Sequence, residues 1–314
     1  MRLKSALRRG VAAAVIAGIV VSSGIPAYAG TWYITNGDIT VEAGAEGTNK
    51  VTQGGTIEQE DRDTVITGES DKNTVTIDTS EGDVDVTFDD LKINVSGKVE
   101  VDGSGDSPAQ ESNAAVTVKG GHDATIELDG KNELKSGGYH AGLEKNGHES
   151  SGKLTIKDDK GRDGSLTAEG GGGGAGIGGG KESTGSNIII RGGTVKAVGG
   201  AGAAGIGDGA DRASGDTDDP NPGNLYICGD AEVTARAGSQ MTDAKVPAIG
   251  GSYGEIPTEN LSDEEHKVTG GRLTRLNADG TVMEGMGYDY TSIPTPQPEE
   301  DEDDDDDVPP PVQE

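Results

Sequence analysis

Cysteine is nearly absent from this chain of 314 residues, because Cys228 is the only one. No internal disulfide can therefore form, and a chain exported from the cell would have to be held together by packing or by bound ions. Cys228 follows Ile227 at the entry to a turn, which indicates an incidental position in the structure rather than a nucleophile.

Aromatic residues are also scarce, since the chain has one Trp, one Phe and seven Tyr. So few large rings argue against a β-sandwich, the other fold that uses many short strands. They also leave few side chains on which a sugar ring could stack. Tyr139, Tyr226 and Tyr253 lie near the corners of a repeated pattern and are the candidate carbohydrate-binding residues. The competing interpretation is that these tyrosines are ordinary surface residues without a binding role.

Positive charge is in short supply as well. Lys and Arg number 26 against 56 Asp and Glu, which gives a net charge of −30. The first 29 residues contain four positive and no negative side chains, so the chain without them carries −34. Such a surface repels nucleic-acid phosphates and anionic lipids, and neither is expected as a partner.

The longest apolar run covers residues 11–21. It follows four positive residues and precedes the small-residue site Ala27-Tyr28-Ala29, which is the order of a secretory signal peptide. The run is short for a membrane-spanning helix, the alternative interpretation. We therefore predict a signal peptide over residues 1–29, a secreted or cell-surface protein, and no membrane insertion once the signal is removed.

What the chain does contain is glycine, 54 residues of it, and a short motif that recurs. The motif Ala175-Gly176-Ile177-Gly178 returns 29 residues later as Ala204-Gly205-Ile206-Gly207. Looser versions include Gly142 upstream and Ile249 downstream. A unit that recurs every 20 to 50 residues or so is typical of stacked repeat proteins.

Each repeat contains three short apolar pieces whose residues alternate with other types, the period of a strand with one buried face. The pieces are Leu154/Ile156, Leu166/Ala168, Ala175/Ile177, Ile188/Ile190, Val195/Ala197, Ala204/Ile206, Leu225/Ile227, Val233/Ala235 and Ala248/Ile249. Three strands per repeat predict a three-sided coil, and coils stacked at about 4.8 Å form parallel sheets. Crossovers between parallel strands are nearly always right-handed. We therefore predict an all-β fold, a right-handed parallel β-helix or three-sided solenoid, with Ile177 beside Ile206 on one wall.

The predicted β-helix domain occupies residues 30–290, and its strongest repeats lie within 124–250. Trp32 and Tyr33 are expected to cap the exposed core of the first repeat. Residues 291–314 form a different region, in which nine consecutive acidic residues, Glu299 to Asp307, lie between proline segments. A block of like charge flanked by prolines predicts a disordered, extended C-terminal tail.

Aspartates crowd one loop after the second copy of the motif. They are Asp208, Asp211, Asp216, Asp218 and Asp219. Calcium is a hard cation that takes about six to eight oxygen ligands. These residues are therefore the candidate metal site, and calcium is the expected cofactor. Their spacing is not that of an EF-hand, and a solvated acidic loop is the alternative interpretation.

Several segments together resemble a known family. They are the run 123–137, then Ala141-Gly142-Leu143, the segments 152–156 and 164–168, and both Ala-Gly-Ile-Gly motifs. The pattern resembles glycine-rich β-helical surface proteins of Firmicutes, described as carbohydrate-binding domain-containing proteins and related to a clostridial secreted family with a pectate-lyase-like fold. The resemblance spans about residues 60–250. It implies export, contact with polysaccharide or a host surface, and calcium on the β-helix, but it assigns no ligand residue, because the matching positions are core and corner residues.

Three functions are open on the sequence. The first is non-catalytic binding of polysaccharide, assisted by calcium, at the surface of a Gram-positive cell. The second is a structural or adhesive rod that contacts host or cell-wall components. The third is a polysaccharide lyase or glycosidase, since the fold can host such enzymes and paired carboxylates can cleave glycosidic bonds. Asp89-Asp90 lacks the companion motifs of polygalacturonases, so we expect a protein that binds without catalysis.

Overall fold

The computed structural model describes residues 30–55, 57–97, 112–210, 224–240, 246–251, 254–255, 266–283 and 288–289. Within these residues the chain is all-β, and its only helical elements are the short 3-10 turns Ile34–Asn36 and Ala45–Gly47. None of the described residues belongs to a helix long and apolar enough to cross a membrane. The predicted signal peptide and the predicted acidic tail lie outside the described residues.

The described part of the chain contains 24 strands. They are β1 (Thr31–Tyr33), β2 (Ile39–Ala43), β3 (Asn49–Gln53), β4 (Ile57–Asp61), β5 (Thr64–Ser70), β6 (Val75–Asp78), β7 (Val84–Asn94), β8 (Val116–Lys119), β9 (Ala124–Asp129), β10 (Lys131–Lys135), β11 (Leu143–Glu144), β12 (Leu154–Lys157), β13 (Ser165–Glu169), β14 (Ile177–Gly178), β15 (Ile188–Ile190), β16 (Thr194–Val198), β17 (Ile206–Gly207), β18 (Leu225–Ile227), β19 (Glu232–Arg236), β20 (Ile249–Gly251), β21 (Gly254–Glu255), β22 (His266–Val268), β23 (Arg272–Leu276) and β24 (Tyr288–Asp289). They form one sheet of ten strands and one of fourteen.

Both sheets are long and mainly parallel, because strands from successive repeats lie side by side. Three series can be followed. The first series is β8, β11, β14, β17 and β20; the second is β9, β12, β15, β18 and β22; the third is β10, β13, β16, β19 and β23. The chain visits one strand of each series in turn, so β8–β10 are the first repeat, β11–β13 the second, β14–β16 the third and β17–β19 the fourth.

Strand β7 joins the second and third series into the single sheet of fourteen strands. Its residues 84–89 pair with β9, and its residues 92–94 pair with β10. Between these two halves Asp90 has a φ of 50°. The pairs β2–β3, β3–β4, β20–β21 and β23–β24 are antiparallel and lie at the ends of the sheets.

The predicted stacking of Ile177 and Ile206 is confirmed, since the two residues are partners in the β14–β17 pair and both are fully buried. Leu143 and Ile249 continue the same wall on either side. Every apolar piece predicted for these repeats is buried. The buried side chains of successive repeats form one continuous core cluster. Burial of each large aliphatic side chain contributes about 1.5–3 kcal/mol to stability.

Trp32 lies in the core near the start of the described chain. It is 7% exposed, and its indole Nε1 donates to Asp61 Oδ2 at 2.7 Å. The neighbouring Tyr33 is 46% exposed. A buried tryptophan needs a hydrogen-bond partner for its indole N–H, and Asp61 supplies one here.

Candidate functional site

The chain passes from the third series to the first series through a short corner that has the same length in three successive repeats. We name these segments corner 1 (residues 136–145), corner 2 (residues 170–179) and corner 3 (residues 199–208). At the beginning of corner 1 Lys135 pairs with Glu169, and near its end Leu143 pairs with Ile177. Corners 2 and 3 are related in the same way. Residues at matching places in the three corners are therefore structural equivalents.

Corner 1 carries large side chains where corner 2 has glycine. Its Tyr139, His140, Glu144 and Lys145 are equivalent to Gly173, Gly174, Gly178 and Gly179 of corner 2. In corner 3 the same positions are Gly202, Ala203, Gly207 and Asp208. Four replacements within seven residues distinguish corner 1 from the structural pattern of the repeat and make it the candidate functional site.

Packing between repeats explains why corner 2 needs glycine and corner 1 does not. A Cβ on Gly178 would lie 2.1 Å from the carbonyl oxygen of Gly207, well inside van der Waals contact. Its equivalent Glu144 is not among the residues with positive φ, whereas the φ of Gly178 is 132°. A Cβ on Gly180 would lie 2.7 Å from Glu144 Oε2, so the missing side chain at Gly180 leaves room for the carboxylate.

Tyr139 has a positive φ, and the residues that adopt this conformation in corners 2 and 3 are glycines. Its φ is 72°, and those of Gly173 and Gly202 are 91° and 79°. The left-handed region costs a residue with a side chain about 1–2 kcal/mol. The tyrosine side chain is nevertheless 61% exposed, and Lys181 Nζ lies 5.1 Å from the ring centre. The corner thus holds an open aromatic ring beside a cation, in cation–π geometry.

His140 and Glu144 form a hydrogen-bonded pair in the same corner. His140 Nδ1 lies 2.9 Å from Glu144 Oε2, and the backbone N–H of Ala141 donates to the same oxygen at 3.0 Å. Asn146 Nδ2 donates to Glu144 Oε1 at 3.3 Å. The hydrogen bond with the Glu144 carboxylate raises the pKa of His140, and a hydrogen bond with the backbone of Ser112 raises it further. Glu144 is buried, whereas a third of the His140 side chain is exposed.

Lys145 is fully buried directly after this pair. Its Nζ donates to the carbonyl oxygen of Ser150 at 3.1 Å, and no carboxylate in the described part of the chain lies within 4 Å of it. Burial disfavours the ammonium form and lowers the pKa of Lys145 from 10.5 to about 8. An amine with no access to solvent cannot meet a ligand, so Lys145 shapes the corner from inside.

A groove of about 460 Å³ lies on the third series beside corner 1. Its lining includes Glu69, Asp71, Lys92, Asn94, Glu133 and Lys135. Glu69 and Glu133 are the partners of Lys92 on neighbouring strands, so the sign of the charge alternates from β5 to β7 to β10. Lys92 Nζ lies 2.8 Å from Glu69 Oε1. Lys135 ends β10 four residues before Tyr139, which places the groove and the ring within roughly 14 Å of each other along the chain.

The structure does not bring the three predicted tyrosines together. Tyr226 is half-buried on β18 in the second series, opposite Ile189, two repeats beyond corner 1. Tyr253 lies outside the described residues. Only Tyr139 is placed with other candidate binding groups.

Only one of the five predicted calcium ligands, Asp208, lies in the part of the chain that the structure describes. Asp208 is 1% exposed, and its Oδ1 accepts a hydrogen bond from the backbone N–H of Gly185 at 3.1 Å. The other four aspartates, Asp211, Asp216, Asp218 and Asp219, lie outside the described residues. Among the residues that are described, no three His, Cys, Asp or Glu side chains are grouped to hold a metal ion. Calcium binding therefore stays a prediction from the sequence.

Sequence reasoning missed His140, Glu144 and Lys145 as members of one site. His140 is one of four histidines spread along the sequence, and acidic residues are too common in this chain for Glu144 to stand out. A usable signal existed, because the landmark Ala141-Gly142-Leu143 aligns corner 1 with the two Ala-Gly-Ile-Gly motifs. That alignment places these residues opposite glycine.

No protein-family model, curated protein or solved structure matches this chain. The resemblance to glycine-rich surface proteins of Firmicutes accordingly stays a prediction.

Proposed function

We propose that this chain is an exported, right-handed parallel β-helix that binds polysaccharide at corner 1 without cleaving it. Three parallel series with one strand of each per repeat support the three-sided architecture. The strong preference of parallel crossovers for one hand supports the right-handed form. The signal-like residues 1–29 support export to the cell surface or medium.

The single observation that carries the binding proposal is the conformation of Tyr139. Its equivalents in the next two repeats are glycines with the same positive φ, so the repeat itself does not call for a side chain there. Backbone strain of this kind persists where the surroundings enforce it and is concentrated at functional sites. A ring that is held in this way and is 61% exposed offers a fixed apolar face to a sugar.

The groups around the ring supply the polar half of a sugar site. His140 and Lys181 are both partly exposed, at 33% and 31% of their side chains. The buried Glu144 fixes the His140 ring. Sites for small ligands combine an apolar surface with a few oriented polar groups, and corner 1 has both within a few residues.

Binding is favoured over hydrolysis by the state of Glu144. Its carboxylate accepts hydrogen bonds from His140, from the backbone of Ala141 and from Asn146, and it is 4% exposed. A glycosidase needs two carboxyl groups that flank the scissile bond and reach it. A buried carboxylate that already serves three donors acts as a support for its neighbours.

The alternative, an adhesive rod without a glycan site, is distinguished by a glycan array probed with residues 30–314. We expect specific signals for the wild type and for Tyr33→Ser, which removes another exposed tyrosine, and loss of those signals in Tyr139→Gly. Silence of the wild-type protein on all glycans would favour the rod. New reducing ends or unsaturated products from the bound glycan would overturn the non-catalytic assignment.

Calcium assistance is the remaining part of the proposal, and it is supported by the five aspartates of residues 208–219. The array is therefore run with calcium and with a chelator. Isothermal titration of the same protein with calcium should show heat of binding, and the absence of heat at millimolar calcium would remove calcium from the proposal.

A further inference from the structure

Gly30, the first residue that the structure describes, directly follows the predicted cleavage site Ala27-Tyr28-Ala29. Hydrolysis of the Ala29–Gly30 peptide bond by a signal peptidase leaves a carboxylate on Ala29 and a free ammonium group on Gly30. We infer that this new ammonium group forms an ion pair with the buried carboxylate of Asp61, so that removal of the signal peptide stabilises the first strands of the fold. The inference depends on the export part of the proposed function.

The backbone nitrogen of Gly30 already lies against Asp61. It donates to Asp61 Oδ1 at 2.9 Å, and the carbonyl oxygen of Gly30 accepts a hydrogen bond from the backbone N–H of Val65 at 3.0 Å. The next residue, Thr31, begins β1, which pairs with β5. Gly30 is therefore held in place, and the nitrogen that gains the charge on cleavage is within hydrogen-bond distance of the carboxylate.

Asp61 has no cationic partner among the described side chains. It is fully buried, and its oxygens accept hydrogen bonds from the backbone of Gly30 and Asp63 and from the indole of Trp32. Lys160, whose Nζ comes close to this turn, pairs at 3.1 Å with Asp63 instead. Burial of a charge without an opposite charge is costly, because the lost hydration is only partly replaced. An ammonium group at the position of the Gly30 nitrogen supplies the opposite charge.

The space around Gly30 is matched to a residue without a side chain. A Cβ at this position would lie 2.5 Å from Asp61 Oδ2 and 2.8 Å from Trp32 Nε1. Any side chain here would displace the carboxylate from its hydrogen bond with the indole. A chain that begins with glycine can therefore place its terminus beside Asp61, and the same carboxylate connects that terminus to the buried tryptophan of β1.

The chain with its signal attached has an amide at this nitrogen. The amide N–H can make the same hydrogen bond to Asp61, but it carries no charge. Charge-assisted hydrogen bonds are roughly twice as strong as neutral ones. The two forms of the protein therefore differ by the charge, and the stronger contact becomes available only after the signal has been removed.

The test compares residues 30–314 with a free amino terminus and the same chain acetylated at Gly30, since acetylation keeps the N–H and removes the charge. Urea unfolding is measured at about pH 6, where an α-amino group is protonated. We expect the unfolding equilibrium constant of the free form to be lower by about tenfold or more. Asp61→Asn should abolish this difference. Asp63→Asn, which alters the exposed neighbour, is the matched control and should keep it.

A pH series gives a second measurement that does not require Asp61→Asn to fold. An ion pair with Asp61 raises the pKa of the amino group above its unfolded value of about 7.7–8.0. The extra stability of the free form is then fully present below that value and lost as the pH rises through the folded value. A difference that persists at high pH and in Asp61→Asn would assign it to the size of the acetyl group and overturn the ion pair. Equal stability of the two forms at about pH 6 would also overturn it.

The cleavage site is tested by N-terminal sequencing of the protein secreted from a Gram-positive host that expresses residues 1–314. We expect Gly30 as the first residue. Secretion of a chain that begins elsewhere would overturn the inference and leave export standing. Retention of the uncleaved chain in the cell would refute both. Glycan binding is measured separately on residues 30–314, so the binding part of the proposed function is judged independently.

Discussion

Corner 1 and corner 2 have the same length and the same strand register, but at four positions corner 1 has a large side chain where corner 2 has glycine. Corner 2 is packed so closely on corner 3 that a Cβ on Gly178 would meet backbone at 2.1 Å. In corner 1 Glu144 does not share the positive φ of Gly178, and its carboxylate lies 2.7 Å from where a Cβ on Gly180 would be, so the glycine at position 180 leaves it room. Glycine in this chain therefore has two roles: it allows close packing of one corner, and it leaves room for the side chains of the corner beside it.

The largest effect is expected when the tight corner is given a side chain. Gly178→Ala places a methyl group against Gly207 at a residue whose φ is 132°, so we expect a loss of about 4 kcal/mol or more of unfolding free energy. Gly172→Ala is the matched control in the same corner, because nothing lies within 4 Å of its Cβ position. Urea unfolding followed by circular dichroism measures both. Equal stability of the two variants would contradict the close packing of corners 2 and 3.

The next effect concerns the buried amine of corner 1. Because Lys145 has a pKa of about 8 in the folded protein and 10.5 when unfolded, the unfolded chain binds more protons between these values, and stability should rise with pH across that window. The gap corresponds to about 3 kcal/mol. Lys145→Met should therefore be more stable than the wild type below pH 8, with the advantage shrinking toward pH 10.5.

Urea unfolding at a series of pH values measures this difference. Lys196→Met, which removes an exposed lysine of β16, should change stability by less than about 0.5 kcal/mol at neutral pH. A Lys145→Met variant that is less stable than the wild type at neutral pH would show that the hydrogen bond to Ser150 outweighs the cost of burying the charge.

A smaller effect is expected at Tyr139. Tyr139→Gly introduces the residue that corners 2 and 3 use at this φ, so it should be neutral or stabilising by up to about 1 kcal/mol. Tyr139→Ala keeps the unfavourable conformation without the ring and should be less stable than Tyr139→Gly by about 1 kcal/mol. Thermal unfolding of the three proteins checks the order. If the alanine and glycine variants are equally stable, the conformation of Tyr139 carries no strain and its ring is not held by the backbone.

The smallest effect concerns the pH dependence of His140. Glu144 raises its pKa, so the stabilisation by the protonated form is fully present below the unfolded value of 6.5 and is lost as the pH rises through the folded value above 6.5. The side chain is a third exposed, and solvent screening limits the effect to about 0.5 kcal/mol. The stability difference between wild type and His140→Gln should decrease between about pH 5 and pH 9. A constant difference would indicate that the pair does not titrate in this range.

Much of the strand architecture could be predicted from the sequence. Pieces such as Leu154/Ile156 alternate apolar and polar residues, and alternation in a strand reports directly which face is buried. The pairing of Ile177 with Ile206 could also be predicted, because an identical motif at a fixed distance leaves one register in which the aliphatic side chains coincide.

Less of the candidate site than of the strand architecture could be predicted from the sequence, for physical reasons. Tyrosine has no preference for positive φ, so its conformation is imposed by the path of the corner and cannot be read from the residue type. Lysine is usually exposed, and the burial of Lys145 depends on neighbours from another repeat. The pairing of His140 with Glu144 is local in sequence, but it has meaning only once both residues are seen to replace glycine.

The antiparallel strands at the beginning of the ten-stranded sheet have a consequence for association between copies of the protein. A stack of parallel strands that ended in an open strand would be a template on which another molecule could continue the sheet and start a fibre. Here β3 is antiparallel to β2 and β4 is antiparallel to β3, so the direction reverses twice and the outer strand β4 runs the same way as β2. The sheet therefore still ends on this side in a strand with which a further strand could pair, and chain direction alone does not prevent association of copies there.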